Sequence, residues 1–484
     1  MSYIKLLIPI VIALVIFIIP APEGLTSNAW LYFAIFMGVV VGLILEPVPP
    51  ALVGLMGVGL CVWFKVGPVG SGAADATIKP AAAMSWGLGG FSDSTIWLIF
   101  AAFMIGLGYQ KSGLGKRIAL LLLRALGKTT LGLGYAIAIA DGILAPFIPS
   151  NSARSGGTLY PIVSSIPPML GSTPENEPRK IGSYLVWVSL AATCVTSSMF
   201  FTGLAPNLLA MTTAEKSGVE VISWMGWFMA FLPAGIILFV ATPFLTYIFY
   251  PPTSKGSPEA VEWAREELKK LGPTTLKEWM MLGLAVFALV MWIFGGSFIN
   301  ATAVALTVMI AMVLVGIVTW NDIISNKAAW NVLAWFGSLV TLAGGLKNVG
   351  FLEYVGKICE ANLQGIDPGT AMIILVVLFY LLHYFFASTT AHVTALLALF
   401  ITIAAGVNPD PAYVREVTLY LMLSLGVMGI LTPYGTGPSP VWFGSGYVSG
   451  KDFWKLGFIF GMIYLIATLV ICIPWVKYVA HAWL

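Results

Sequence analysis

Apolar and polar positions fall into long blocks along this chain, not into the turns of a helix or the pleats of a strand. Stretches without Asp, Glu, Lys or Arg include Gly24–Leu45, Pro47–Phe64, Ile181–Ala214, Val221–Ser254, Trp279–Asn321, Val417–Gly450 and Leu456–Val476. At 1.5 Å per residue, helices of that length cross a hydrocarbon layer about 30 Å thick. The pattern predicts eleven spans, near residues 3–21, 28–46, 48–66, 84–110, 181–213, 221–250, 278–297, 300–320, 328–347, 415–448 and 454–478. Two further apolar regions, about 129–168 and 368–405, carry polar, helix-breaking centres. Lipid offers no partner for broken backbone, so these two are expected as re-entrant hairpins facing a cavity.

Composition agrees. The chain is 59% hydrophobic and 9% charged, against about a quarter charged in soluble domains, so its surface has to meet lipid. Its net charge of +3 is spread over span ends, which argues against a nucleic-acid partner. Cys61, Cys194, Cys359 and Cys472 are scattered among apolar residues, with no CxxC pair and no spacing to His383, His392 or His481 that suits a metal. We expect no metal and no cofactor. No nucleophile or acid/base pair stands out, so an enzyme, such as a membrane-embedded lipid-modifying transferase, is disfavoured.

Tyr3–Ala21 reads as a retained first span, since Pro20, Pro22 and Glu23 follow it in place of a small-residue cleavage site. With a cytoplasmic N-terminus and non-crossing hairpins, sixteen of the 24 Lys and Arg fall inside, seven outside and Arg154 within the first hairpin. That bias places the C-terminus outside, and a bacterial plasma membrane is the expected setting. Pro251–Lys277 mixes Glu259, Glu262, Arg265, Glu266, Glu267, Lys269 and Lys270 at helical spacing, as an amphipathic cytoplasmic linker would.

The halves repeat. Gly108–Leu114 aligns with Gly345–Phe351 at an offset of 237, and Ser150–Arg154 with Ser388–His392 at 238. The hairpins then enter from opposite sides, as in secondary transporters with inverted repeats. Their tips, Ser150-Asn151-Ser152 and Ser388-Thr389-Thr390, offer neutral hydrogen-bond donors beside helix N-termini. Each tip could hold one carboxylate of a small diacid, or merely cap a broken helix. Thr202-Gly203 and Thr432-Pro433-Tyr434-Gly435-Thr436 interrupt two spans and could line the same cavity. Arg154 and His392 occupy equivalent positions two residues beyond the tips, costly places for ionisable groups. Either they compensate an anion, or they pair structurally, with Asp141 a candidate for Arg154.

These features resemble the divalent anion:sodium symporter (DASS) family over nearly the whole chain. The family's Ser-Asn-Thr tip motif is relaxed here to Ser150-Asn151-Ser152 and Ser388-Thr389-Thr390. Residues 145–157 (APFIPSNSARSGG) and 431–448 (LTPYGTGPSPVWFGSGYV) look most like its exchanger branch, with plastid dicarboxylate translocators and bacterial citrate/succinate or tartrate/succinate antiporters. The resemblance implies an all-α homodimer of elevator type, moving a transport domain against a scaffold. It also implies 2-oxoglutarate, malate, succinate or a similar acid as substrate. The expected layout is scaffold helices over 1–83, a first repeat core over 84–250, the linker 251–277, scaffold helices over 278–327 and a second core over 328–484. The departure from the symporter motif, with Arg154 and His392 just beyond it, favours sodium-independent exchange over sodium-coupled symport. A chloride or sulfate carrier is a further alternative.

Overall fold

The computed structural model describes residues 3–73, 77–220, 222–363 and 365–479. His481 lies outside the described residues. The first half comprises α1 (Tyr3–Ile18), α2 (Ser27–Leu45), α3 (Pro50–Trp63), α4 (Pro80–Gly89), α5 (Ser94–Ser112), α6 (Leu114–Leu126), α7 (Thr130–Leu144), α8 (Tyr160–Val163), α9 (Ile166–Met169), α10 (Gly182–Met199), α11 (Ala205–Lys216) and α12 (Trp224–Phe249). The linker forms α13 (Pro258–Leu271). The second half comprises α14 (Leu276–Phe294), α15 (Ala301–Leu314), α16 (Trp320–Ser325), α17 (Lys327–Asn348), α18 (Phe351–Leu363), α19 (Pro368–Leu382), α20 (Thr389–Val407), α21 (Pro411–Val427), α22 (Ser439–Gly444), α23 (Gly450–Ala467) and α24 (Ile473–Tyr478). Among the described residues there is no strand, only an isolated bridge between Thr129 and Gly256.

Eight helices of the described residues are long and apolar enough to cross a membrane, or nine if α4 and α5 count as one span bent by 41°. The bend falls at Asp93, which caps α5 by accepting from the Thr95 backbone N–H. The outward faces are apolar. On α12, Trp227, Ala230, Phe231 and Ala234 are buried while Ile236, Val240, Phe244 and Ile248 are exposed. A water-facing monomer rarely shows apolar surface on that scale.

The ion pairs sort by helix end. Asp93, before α5, pairs with Lys216 at 3.7 Å, and Lys111, in its last turn, pairs with Asp322 at 2.9 Å. Those ends are about 28 Å apart along the helix. Lys116–Glu267 and Arg117–Glu278 join the Lys111 end, tying α13 and α14 to α6. Glu278 also completes a capping box with Thr275 at the start of α14. Lys111 and the Thr319 backbone N–H hold the Asp322 carboxyl well below the usual carboxylate range.

The repeat is visible in backbone geometry. Gly113 (φ +84°) turns α5 into α6, and Gly350 (φ +78°), at the 237 offset, turns α17 into α18. Both lie in the left-handed region, where only glycine is unstrained. Helices α7 and α19 likewise begin at equivalent positions. The two halves meet where α10 and α21 cross, and every residue from Gly182 to Ser198 and from Val417 to Val427 is buried. There Ser198 Oγ accepts from the Val427 backbone N–H at 3.0 Å. A Cβ on Gly426 would stand 2.4 Å from the Ser198 nitrogen. Gly426→Ala is therefore expected to destabilise the protein by about 1–3 kcal/mol through overpacking, read as a lowered unfolding temperature in detergent. An unchanged unfolding temperature would mean that the crossing is looser than described.

Candidate functional site

Each hairpin tip reaches the same loop, residues 431–438, which breaks the chain after α21. From the first hairpin, Asn151 Nδ2 donates to Thr436 Oγ1 at 2.7 Å. From the second, Thr389 Oγ1 donates to the Gly435 carbonyl at 3.3 Å. Gly437 follows, and a Cβ there would meet Ser152 Oγ, which would have to rotate away, so the first tip packs closely on this residue. The tips thus converge on three consecutive residues of one loop. Below the first tip lies a cavity of about 600 Å³, lined by Ser150 and Ser152, Gly106 and Gln110 of α5, and Asn326 and Lys327 at the start of α17. Ser152 is exposed, whereas Asn151, Thr389, Thr390, Gly435 and Thr436 are buried and Ser388 and Pro433 half-buried.

The anticipated residues divide by what their polar atoms do. Ser150 Oγ accepts from the Ala153 backbone N–H at 3.1 Å, which is capping. Ser388 makes no side-chain cap to α20, leaving that helix N-terminus to other partners. Thr202 is fully used: its hydroxyl donates to the Pro146 carbonyl at 2.6 Å and accepts from Trp224 Nε1 at 3.1 Å. The Gly203 carbonyl accepts from Arg154 at 2.7 Å. Thr432 Oγ1, Asn207 Oδ1 and His392 Nε2 are buried without a hydrogen-bond partner. Such orphans are uncommon and mark strain or a missing ligand group.

Arg154 lies behind the first tip, fully buried. Its Nε donates to Asp141 Oδ1 at 3.1 Å, one terminal nitrogen to the carbonyls of Ile148 and Gly203, and the other to Thr196 Oγ1 and Ser197 Oγ. Asp141 also accepts from the hydroxyls of Thr193, at 2.7 Å, and Thr196. The structural pairing is therefore the arrangement formed here, and the Arg154 charge is neutralised locally. The guanidinium fills a cage made wholly of oxygen atoms. Thr193, Thr196, Ser197 and His383 received no role from sequence, although Thr193–Ser198 is a conspicuously polar run within an apolar span.

Behind the second tip the arrangement changes. Phe379 stands at the repeat position of Asp141 and packs its ring edge on His392, with ring centroids 4.3 Å apart. His392 Nδ1 faces His383 Nδ1 at 3.4 Å, and His383 Nε2 meets the Gly435 carbonyl at 2.7 Å. Among the described residues, no group of three or more His, Cys, Asp or Glu could hold a metal ion.

The family model described as the sodium:sulfate symporter transmembrane region matches residues 1–482. The chain belongs to that family. It falls in the exchanger branch of the DASS transporters. It is a transporter, not an enzyme. It is 46% identical over 481 residues to the L-tartrate/succinate antiporter of Shigella sonnei, covering 98% of both chains. It is 45% identical to the L-tartrate/succinate antiporter of Escherichia coli K12 over the same length and coverage. In fold it is similar to the YdaH transporter of Alcanivorax borkumensis, with a TM-score of 0.57 at 15% identity, over 89% of this chain and 98% of that one.

Proposed function

We propose that this protein is an obligatory exchanger of small dicarboxylates (succinate, L-tartrate or close relatives such as malate and 2-oxoglutarate) that works without sodium. The observation that carries sodium independence is the cage around Arg154. Carboxylate, carbonyl and hydroxyl oxygens are the donors a hard cation takes, and unwound backbone in carriers supplies them. Here a tethered guanidinium has taken all of them. It cannot dissociate, so a sodium gradient cannot reset the carrier.

The neutral tips then bind the diacid, one carboxylate at Asn151 and Ser152 and the other at Thr389 and the N-terminus of α20. Because Asp141 cancels Arg154, compensation of the dianion falls on helix ends, neutral donors and a proton at His392. One cation about 5 Å from a carboxylate is worth ~3 kcal/mol at an effective dielectric near 20. With the site empty, positive helix ends would cross the barrier uncompensated, so return favours a second anion. We read the protein as a homodimer in a bacterial plasma membrane, N-terminus cytoplasmic, with the hairpin-bearing core moving against α1–α3 and α14–α15. The relatives' names, the all-oxygen cage and the paired tips support this reading.

Counterflow in proteoliposomes tests it. Vesicles loaded with succinate should take up labelled L-tartrate or succinate equally in sodium and in choline media, and empty vesicles should take up almost none. Sodium-stimulated uptake into empty vesicles would instead make the protein a symporter.

A further inference from the structure

The two buried histidines behind the second tip form a hydrogen-bonded chain whose direction is fixed by one atom. The Gly435 carbonyl can only accept, so His383 Nε2, 2.7 Å away, carries a proton. A neutral His383 then presents a lone pair at Nδ1. His392 Nδ1, 3.4 Å away, fills it by donating. His392 Nε2 is left as a bare, buried acceptor with no partner. The Nδ1–Nδ1 bond holds one proton and has no room for two. The pair can therefore gain one proton, at His392 Nε2, and cannot gain a second while it stays bonded.

The surroundings isolate it. Phe379 and Phe386 pack their rings against His392, and α20 carries no other ionisable residue. Tyr380, on α19, donates its hydroxyl to the carbonyls of Val427 and Gly461, and Tyr434 of the loop donates to Tyr384 O. The charged groups of neighbouring elements lie elsewhere. Glu353, Lys357 and Glu360 of α18, Lys347 of α17, and Glu220 and Arg415 line a cavity against Ile401, Thr402, Ala405 and Gly406. That stretch begins about 14 Å along α20 from His392. Glu215 and Lys216 end α11, Asp367 begins α19, and Glu416 accepts from Tyr420. The repeat sharpens the contrast, because Asp141 neutralises Arg154 in the first half while Phe379 in the second neutralises nothing.

We propose that His383 is a positioning residue that holds His392 in its Nδ1–H tautomer, so that His392 Nε2 is the one place where a proton from the bathing solution is taken up as a diacid seats on the second tip. The Gly435 carbonyl, shared by His383 and Thr389, ties this pair to the substrate loop. The inference rests on the exchanger reading for what seats there, but the tautomer does not depend on it.

The chain has three histidines, so nitrogen-15 spectra of histidine-labelled protein in lipid can be assigned by single substitutions. Without substrate, His392 should carry its proton on Nδ1 and His383 on Nε2. Saturating succinate should protonate both nitrogens of His392. His383→Phe should release His392 to the ordinary Nε2–H form, whereas His383→Gln, whose amide can both donate to Gly435 and accept from His392, should keep it. Exchange by the unmodified protein and by His383→Gln should fall about tenfold per pH unit on the alkaline side, as for one required proton. His392→Gln should lose that dependence. An Nε2–H His392 in the unmodified protein, or a tautomer unmoved by His383→Phe, would overturn the proposal. Absence of exchange in the unmodified protein would strike the exchanger reading instead, and the substrate-free spectrum would still decide the role of His383.

Discussion

Asp141→Ala should be among the most damaging single substitutions in this protein, lowering stability by about 3–5 kcal/mol. It would leave the guanidinium of Arg154 fully buried with no counter-charge, strip the Thr193 hydroxyl of its acceptor and leave the Thr196 hydroxyl with only the Thr193 carbonyl. The readout is thermal unfolding of the purified protein in detergent. Arg154→Ala should also abolish exchange, but with a different signature. It would vacate a set of oxygens that includes Asp141, the carbonyls of Ile148 and Gly203 and the hydroxyls of Thr196 and Ser197. Sodium chloride, but not choline chloride, should then raise the unfolding temperature of Arg154→Ala and leave that of the unmodified protein unchanged. An equal response from both proteins would remove the cage argument. An unaltered unfolding temperature in Asp141→Ala would mean that the pair is not the brace described.

Asn151→Ala and Thr389→Ala should each raise the dicarboxylate concentration for half-maximal exchange roughly ten- to a hundredfold. That is the cost of losing one hydrogen bond to a charged group, about 1.5–3 kcal/mol. If each side chain serves a different carboxylate, the losses should add, giving about a hundred- to ten-thousandfold in the double variant. Ser150→Ala is the control: it removes a cap worth about 1 kcal/mol, so it should lower stability and leave affinity nearly alone. Equal affinity in the double variant and the parent would return both tip residues to structural duty.

The tips and breaks were legible because polar, glycine- and proline-containing centres inside apolar stretches are too costly in lipid to be incidental. Asp141 could be named beside Arg154 for the same reason, as a carboxylate within that hairpin. The charged pattern of Pro251–Lys277 made α13 legible, but two other short amphipathic helices were not. At 13 residues each, α6 and α18 fall below spanning length, so the pattern of apolar blocks leaves them in the connections between spans. Asp93 reads from its residue type as a helix end and does cap α5, although the span expected over 84–110 runs through it. The work of Thr202 and His383 could not be read at all. Thr202 was expected at the cavity and is spent on Pro146 and Trp224, while His383 acquires its meaning from a carbonyl 52 residues away. Such partners are set by tertiary contact, and no local spacing encodes them.

The bonds from Asn151 to Thr436 and from Thr389 to Gly435 use the same donors that the proposed reading assigns to the two carboxylates. An arriving acid must outbid interactions that the protein already makes with itself, so measured affinity is a difference between two occupied arrangements. On that reading a dicarboxylate would replace both bonds at once. A monocarboxylate of the same size can replace one, and the far tip is then left bonded to its loop or facing an apolar tail. On the proposed reading, discrimination between them would need no steric filter, because a monoacid would leave one of the two tip bonds unreplaced.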